Sequence, residues 1–184
     1  MKELYRQLIH LILGLIIAFA VIYFGKIIIY PLFIILLIGI FLYFYLKNNY
    51  IPIISELLKL CNRNNENGKG AILYIVGLLL TLIIIPNIDA VFYSILIFAV
   101  GDSLATIIGM KGKLKIKYFG KTVEGFLAFF ISSSIILCYG YGVYVAIIVA
   151  FIGACLEFIS KKIKIDDNIL LPICVAIMLK LIKY

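Results

Sequence analysis

Apolar residues fall along this chain in long blocks, separated by short polar stretches crowded with lysine. Seven blocks are long enough, or nearly so, to cross the hydrocarbon of a bilayer as helices, which takes about 20 apolar residues. They cover residues 7–25, 27–46, 71–86, 90–110, 123–139, 142–159 and 169–183. The third and seventh are short and rely on polar end groups snorkelling to the interface. Between the second and third blocks the pattern changes. Ile53, Ile54, Leu57, Leu58 and Cys61 recur at helical spacing, with Ser55, Glu56 and Lys59 among them. This predicts an amphipathic helix lying on the membrane. Asn62 to Gly70 reads as a polar loop. No fixed-period repeat and no low-complexity segment is present. The expected fold is an all-α polytopic transmembrane helical bundle of about seven spans, with one cytoplasmic amphipathic helix. Residues 1–184 form a single integral membrane domain.

Composition supports lipid as the solvent. Of the 184 residues, 65% are hydrophobic, against roughly 45–50% in an ordinary soluble domain. The first block follows a charged start in the manner of a signal peptide. No small-residue cleavage site precedes a polar mature domain, so it is expected to stay as the first helix.

Charge then orients the spans. With seven crossings, one side receives Lys2, Arg6, Lys47, Lys59, Arg63, Lys69, Lys111, Lys113, Lys115, Lys117, Lys121, Lys161, Lys162 and Lys164. The other keeps only Lys26, Lys180 and Lys183. The positive-inside rule places the N-terminus in the cytoplasm and the C-terminus outside. The same rule accounts for the net charge of +8 without a nucleic-acid partner. All the acids except Asp89 fall on the cytoplasmic side or near the inner span ends. Topology does not require that of acids, whereas a site for a divalent cation and a polyanion does. The four cysteines show no metal-like spacing and read as small packing residues.

Candidate chemistry gathers on that side. Asp102, in Gly101-Asp102-Ser103, lies about two turns inside the fourth span. A carboxylate at such depth is costly and marks a functional site, or else bonds a neighbouring hydroxyl or lysine. Residues 109–125 carry five lysines and four glycines. Gly109, Lys111, Lys113, Gly120, Lys121 and Thr122 fit a phosphate cradle at the N-terminus of the fifth span, with Thr122 as its N-cap. A basic loop resting on anionic headgroups would have the same composition. Glu124 either complements the helix dipole or ligates a metal. Glu157, Asp166, Asp167 and Asn168 supply oxygen donors suited to Mg²⁺, and Asp167 or Asn168 also suits a cap of the seventh span. Arg6 and His10 are four apart and share a helix face.

Taken together, these motifs resemble the CTP-dependent lipid kinases: dolichol kinase, phytol kinase and the yeast-type diacylglycerol kinase. Arg6-Gln7-Leu8-Ile9-His10 is similar to the opening Arg-Lys-x-x-His of that family, with Gln7 in place of lysine. Gly68-Lys69-Gly70-Ala71 to Gly77 is similar to its loop-then-span entry. The most specific part is Gly101-Asp102-Ser103-Leu104-Ala105, Gly109 and Gly120-Lys121-Thr122-Val123-Glu124-Gly125, with Thr122 for the usual serine. Glu157 and Asp166-Asp167-Asn168 resemble its closing segment. The resemblance implies a membrane lipid kinase using CTP and Mg²⁺ to phosphorylate a polyprenol-type membrane alcohol. Asp102, Glu124 and Glu157 would be catalytic, and Asp102, Glu124, Asp167 and Asn168 would hold the metal. Arg6, Gly109, Lys111, Lys113, Gly120, Lys121 and Thr122 would bind nucleotide, and His10 the lipid. The central block is also similar to phosphatidate cytidylyltransferase, whose closing Gly-His-Gly-Gly and Asp-Arg segment is missing here. A CDP-lipid-forming enzyme is therefore the first alternative. A small transporter or non-catalytic scaffold is the second.

Overall fold

In the computed structural model, residues 2–61, 68–163 and 166–182 are described. The chain is helical nearly throughout. Helix α1 (Lys2–Phe24) turns through a 3-10 segment (Gly25–Ile28) into α2 (Ile29–Tyr45). Helices α3 (Pro52–Cys61), α4 (Lys69–Ile84) and α5 (Ile88–Ile97) follow. Then come a π-helical turn (Phe98–Asp102) and α6 (Ser103–Gly109). A two-stranded antiparallel hairpin, β1 (Lys115–Ile116) with β2 (Lys121–Thr122), leads into α7 (Val123–Tyr141). Helices α8 (Val143–Ile163) and α9 (Asp167–Ile182) complete the described chain. The seven expected apolar blocks coincide with α1, α2, α4, the run α5 through α6, α7, α8 and α9. Of the expected polar loop from Asn62 to Gly70, residues 62–67 lie outside the described residues, and Lys69 and Gly70 already belong to α4.

The helices assemble into one bundle. α5 and α9 are central: α5 packs on α1 and α9, and α9 also packs on α4 and α8. The core is aliphatic with two buried phenylalanines, Phe98 and Phe129. By contrast, α2 buries only Leu32 and exposes Phe33, Ile34, Leu37, Ile38 and Phe41. A helix apolar on every face needs an apolar environment on every face; α4 covers one side of α2, and no described residues cover the side chains it exposes. Four helical stretches among the described residues are long and apolar enough to cross a membrane: Lys2–Tyr45, Ile88–Gly109, Val123–Tyr141 and Val143–Ser160. α4 is apolar but shorter. The molecule is an all-helical bundle compatible with a membrane protein.

The fourth block does not form the uninterrupted helix that its composition suggests. Its middle widens into the π turn, which takes in Asp102 as its last residue. Such turns gather at functional sites. Across from it, α1 docks closely, and Ser103 Oγ donates to the Gln7 carbonyl at 3.2 Å.

Candidate functional site

One end of the bundle holds a cavity of about 450 Å³. Its wall includes Arg6 from α1, Gly70 from α4, Asp102 and Gly109 from the π turn and α6, and Lys115, Gly120, Lys121 and Thr122 from the hairpin. Gly125 of α7, Glu157 of α8, and Asp166, Asp167 and Asn168 at the start of α9 close it. Residues 162 positions apart in sequence, Arg6 and Asn168, thus line the same space.

The α6–α7 junction is tight enough to fix this geometry. Thr122 caps α7 as expected, its Oγ1 accepting from the Gly125 N–H at 3.2 Å and donating to the Gly109 carbonyl at 3.4 Å. A side chain at Gly125 would bring its Cβ to 2.7 Å from the Ala105 carbonyl oxygen. Only glycine lets the two backbones approach this closely. Gly120 has φ +66°, the left-handed turn that returns the hairpin to Lys121.

Lys121 is enclosed by acceptors. Its ammonium donates to the Glu157 carboxylate at 2.5 Å, to the Glu157 backbone carbonyl, and to Ser160 Oγ at 3.2 Å. Asp167 Oδ2 lies 3.8 Å away. Asp102 is 7% exposed. Its charged neighbours are Asp167, Glu157, Lys121 and Arg6. Among the described residues the cavity wall carries five carboxylates (Glu3, Asp102, Glu157, Asp166 and Asp167) against three cations (Arg6, Lys115 and Lys121). That described lining is acidic, although the hairpin beside it is rich in lysine.

Not every candidate reaches this wall. Lys111 and Lys113 are exposed and do not line the cavity among its described residues. Glu124 does not line it either. Its Oε1 accepts from the backbone N–H groups of Lys113 at 2.7 Å and Leu114 at 3.0 Å, pinning the hairpin to α7. His10 faces a neighbouring apolar pocket. Its ring packs on Tyr74 and Phe98, at centroid distances of 4.4 and 4.7 Å. Its Nε2 stands 4.0 Å from Asp102 Oδ2, beyond hydrogen-bond reach. The cap of α9 is Asp166, one residue ahead of the expected pair. Its Oδ1 accepts from the Asn168 N–H at 3.0 Å and from Asn168 Nδ2 at 2.6 Å.

Sequence reasoning missed Ser160 and Glu3. Ser160 lies three residues after Glu157, a helical spacing that puts both on one face and was available as a signal. Glu3 bonds Arg6 at 2.5 Å at the same i, i+3 spacing. Among the described residues, no group of three or more His, Cys, Asp or Glu side chains is placed to hold a metal ion.

Fold and site together define a helical bundle, compatible with a membrane protein, that carries an acidic cavity at one end. The chain is 62% identical over 179 residues to the uncharacterized protein MJ1137 of Methanocaldococcus jannaschii, covering 97% of this chain and 93% of that protein. It is 31% identical over 138 residues to the uncharacterized protein RP860 of Rickettsia prowazekii, covering 71% of this chain and 67% of that protein. The chain belongs to the family of these two proteins. No family model matches it, and no solved structure does.

Proposed function

We propose that the protein is a membrane lipid kinase that transfers the terminal phosphoryl group of CTP to a polyprenol-type alcohol at the cytoplasmic face. One observation carries the reading. Arg6, Asp102, Gly109, Gly120, Lys121, Thr122, Glu157, Asp167 and Asn168, picked out by resemblance to lipid kinases, converge on one cavity wall.

The membrane arrangement is part of the proposal. α1, α2, α4, α5 through α6, α7, α8 and α9 cross the bilayer, and α3 lies on its cytoplasmic surface. The cavity draws on the N-terminal ends of α1, α4, α7 and α9 and the C-terminal ends of α6 and α8. Successive crossings require that alternation.

Phosphoryl transfer depends mainly on positioning and charge neutralisation. An acidic wall repels a triphosphate unless a cation joins them. Mg²⁺ commonly takes one or two carboxylates together with substrate phosphates, so an all-protein cage is not needed. Asp167 and Asn168 fit that role. Asn168 donates through Nδ2 to Asp166, leaving its amide oxygen as a ligand. Bound there, Mg²⁺ would supply the neutralisation. Arg6 and Lys115 add positive charge. In the transfer, the acceptor hydroxyl oxygen bonds the terminal phosphorus and its proton passes to the Asp102 carboxylate. The bond from that phosphorus to the bridging oxygen breaks, and CDP leaves with the electron pair.

Incubating the purified protein with labelled CTP, Mg²⁺ and a dispersed prenol tests this. The expected products are CDP and a prenyl monophosphate. Pyrophosphate and a CDP-lipid would reassign it to cytidylyl transfer, and no turnover of any lipid alcohol would overturn the kinase reading.

A further inference from the structure

Beside the charged cavity lie two smaller pockets, and the three share walls in series. The first, about 140 Å³, has Arg6, Gly70 and Asn168 in common with the charged cavity. The second, about 160 Å³ between α2, α3 and α4, has Leu58, Gly68 and Ala71 in common with the first. Polarity falls along the series. The first pocket mixes His10 and Arg6 with Ile9, Leu13 and Leu58. The second is apolar apart from Tyr43.

Two buried polar atoms at the first junction, Arg6 Nε and His10 Nε2, have no hydrogen-bond partner among the described residues. A buried donor or acceptor left unsatisfied is costly, and both lie on one face of α1. His10 looks into the apolar pocket while Asp102 looks into the charged cavity. Their 4.0 Å separation is too long for a direct bond, so His10 is left to meet a ligand from the apolar side and Asp102 from the charged side. An amphiphile with a small hydroxyl head and an apolar tail matches this gradient. Both side pockets fall well below the ~300–1,000 Å³ usual for a drug-sized ligand, which favours one chain over a pair.

We propose that these pockets form the lane of a single-chain membrane alcohol. Its hydroxyl lies between His10 and Asp102, its chain passes Leu58, and Leu58 sets which chains fit. Leu58 is the α3 side chain in the wall common to both apolar pockets, so its bulk governs passage from one to the other. The assignment deepens the lipid kinase reading, but occupancy of the lane can be measured without turnover.

The test is native mass spectrometry of the full-length protein in detergent, without nucleotide, titrated with farnesol, a longer polyprenol or a diacylglycerol. The wild type is expected to retain both prenols in preference to the diacylglycerol. Leu58→Trp should lose the longer prenol by about tenfold or more while keeping farnesol, a discrimination of the size that apolar pockets achieve by bulk. Ala71→Leu, which fills the same wall from α4, should shift the ratio in the same direction and serves if Leu58→Trp fails to fold. Unchanged prenol ratios in the folded variants, no prenol retention by the wild type, or preference for the diacylglycerol would each overturn the lane. Leu58-dependent retention without CDP release from CTP would leave the lane standing and remove the kinase reading. CDP release with a chain preference indifferent to Leu58 would do the reverse.

Discussion

Lys121 and Glu157 form a buried ion pair, Nζ to Oε1 2.5 Å, joining the hairpin to the end of α8 across 36 residues of sequence. Their side chains are only 12% and 5% exposed. The pair also locks the floor of the cavity, because Ser160 and Asp167 share the same ammonium. Lys121 is thus first a structural cation.

Breaking this pair from one side should destabilise the protein. Removing one partner of a buried pair typically costs about 3–5 kcal/mol, because the other charge stays buried and unpaired. Lys121→Met and Glu157→Gln are each expected to lower the thermal midpoint in detergent. The double variant should lose less than the sum of the two. Strict additivity would show that the two side chains do not act as a pair.

Asp102→Asn should leave the bundle folded and lower turnover by about a hundredfold or more, the usual range for removing a general base. Asparagine keeps the shape next to His10 but cannot accept the proton. Initial rates with CTP and prenol, alongside the melting profile, check this. A folded variant with near-normal rate would return Asp102 to a packing role.

Much of the architecture was legible because apolar block length and polar punctuation are strong local signals. All seven blocks correspond to helices, and Thr122 caps α7 as its residue type and position suggested. Asp102 was legible for the same reason, as one carboxylate inside an apolar run. The π turn that ends on it was not, since an i to i+5 backbone bond has no residue-type signature. The lysines of residues 109–121 suggested a basic site, yet only Lys115 and Lys121 reach the cavity. Which way a hairpin lysine points depends on how Glu124 and Glu157 fasten the loop, and that follows from helix packing rather than local sequence.

Glu124 should matter for the hairpin more than for the chemistry. Its carboxylate holds the N–H groups of Lys113 and Leu114, and charge strengthens such bonds. Glu124→Gln is expected to speed limited proteolysis within residues 110–119 and to raise the apparent KM for nucleotide more than it lowers kcat. An unchanged cleavage rate with an abolished kcat would make Glu124 a catalytic group.

The proposed topology puts the hairpin in the cytoplasm and the α1–α2 turn outside. In a cysteine-free background, a cysteine at position 26 should react with an impermeant maleimide added to intact cells. A cysteine at position 115 should react only after lysis. Labelling of both from outside, or of 115 alone, would invert or break the arrangement.

CTP should support prenol phosphorylation better than ATP. The motive is the resemblance of the block from Gly101 to Gly125 to the CTP-dependent lipid kinases. The sequence also lacks a Walker A loop, a kinase glycine-rich loop with its partner lysine, and a Rossmann fingerprint. A site that selects a base does so by hydrogen bonds to its edge. An adenine in a cytosine site leaves buried polar groups unpaired, at about 1–3 kcal/mol per group. With ~1.4 kcal/mol per decade, one or two such groups give a preference of roughly tenfold to a hundredfold or more. The measurement is the initial rate with each nucleotide at matched concentration, excess Mg²⁺ and the same prenol. Equal rates would leave the phosphate site intact but remove cytosine from the proposal, because phosphate-binding groups alone do not distinguish the two nucleotides.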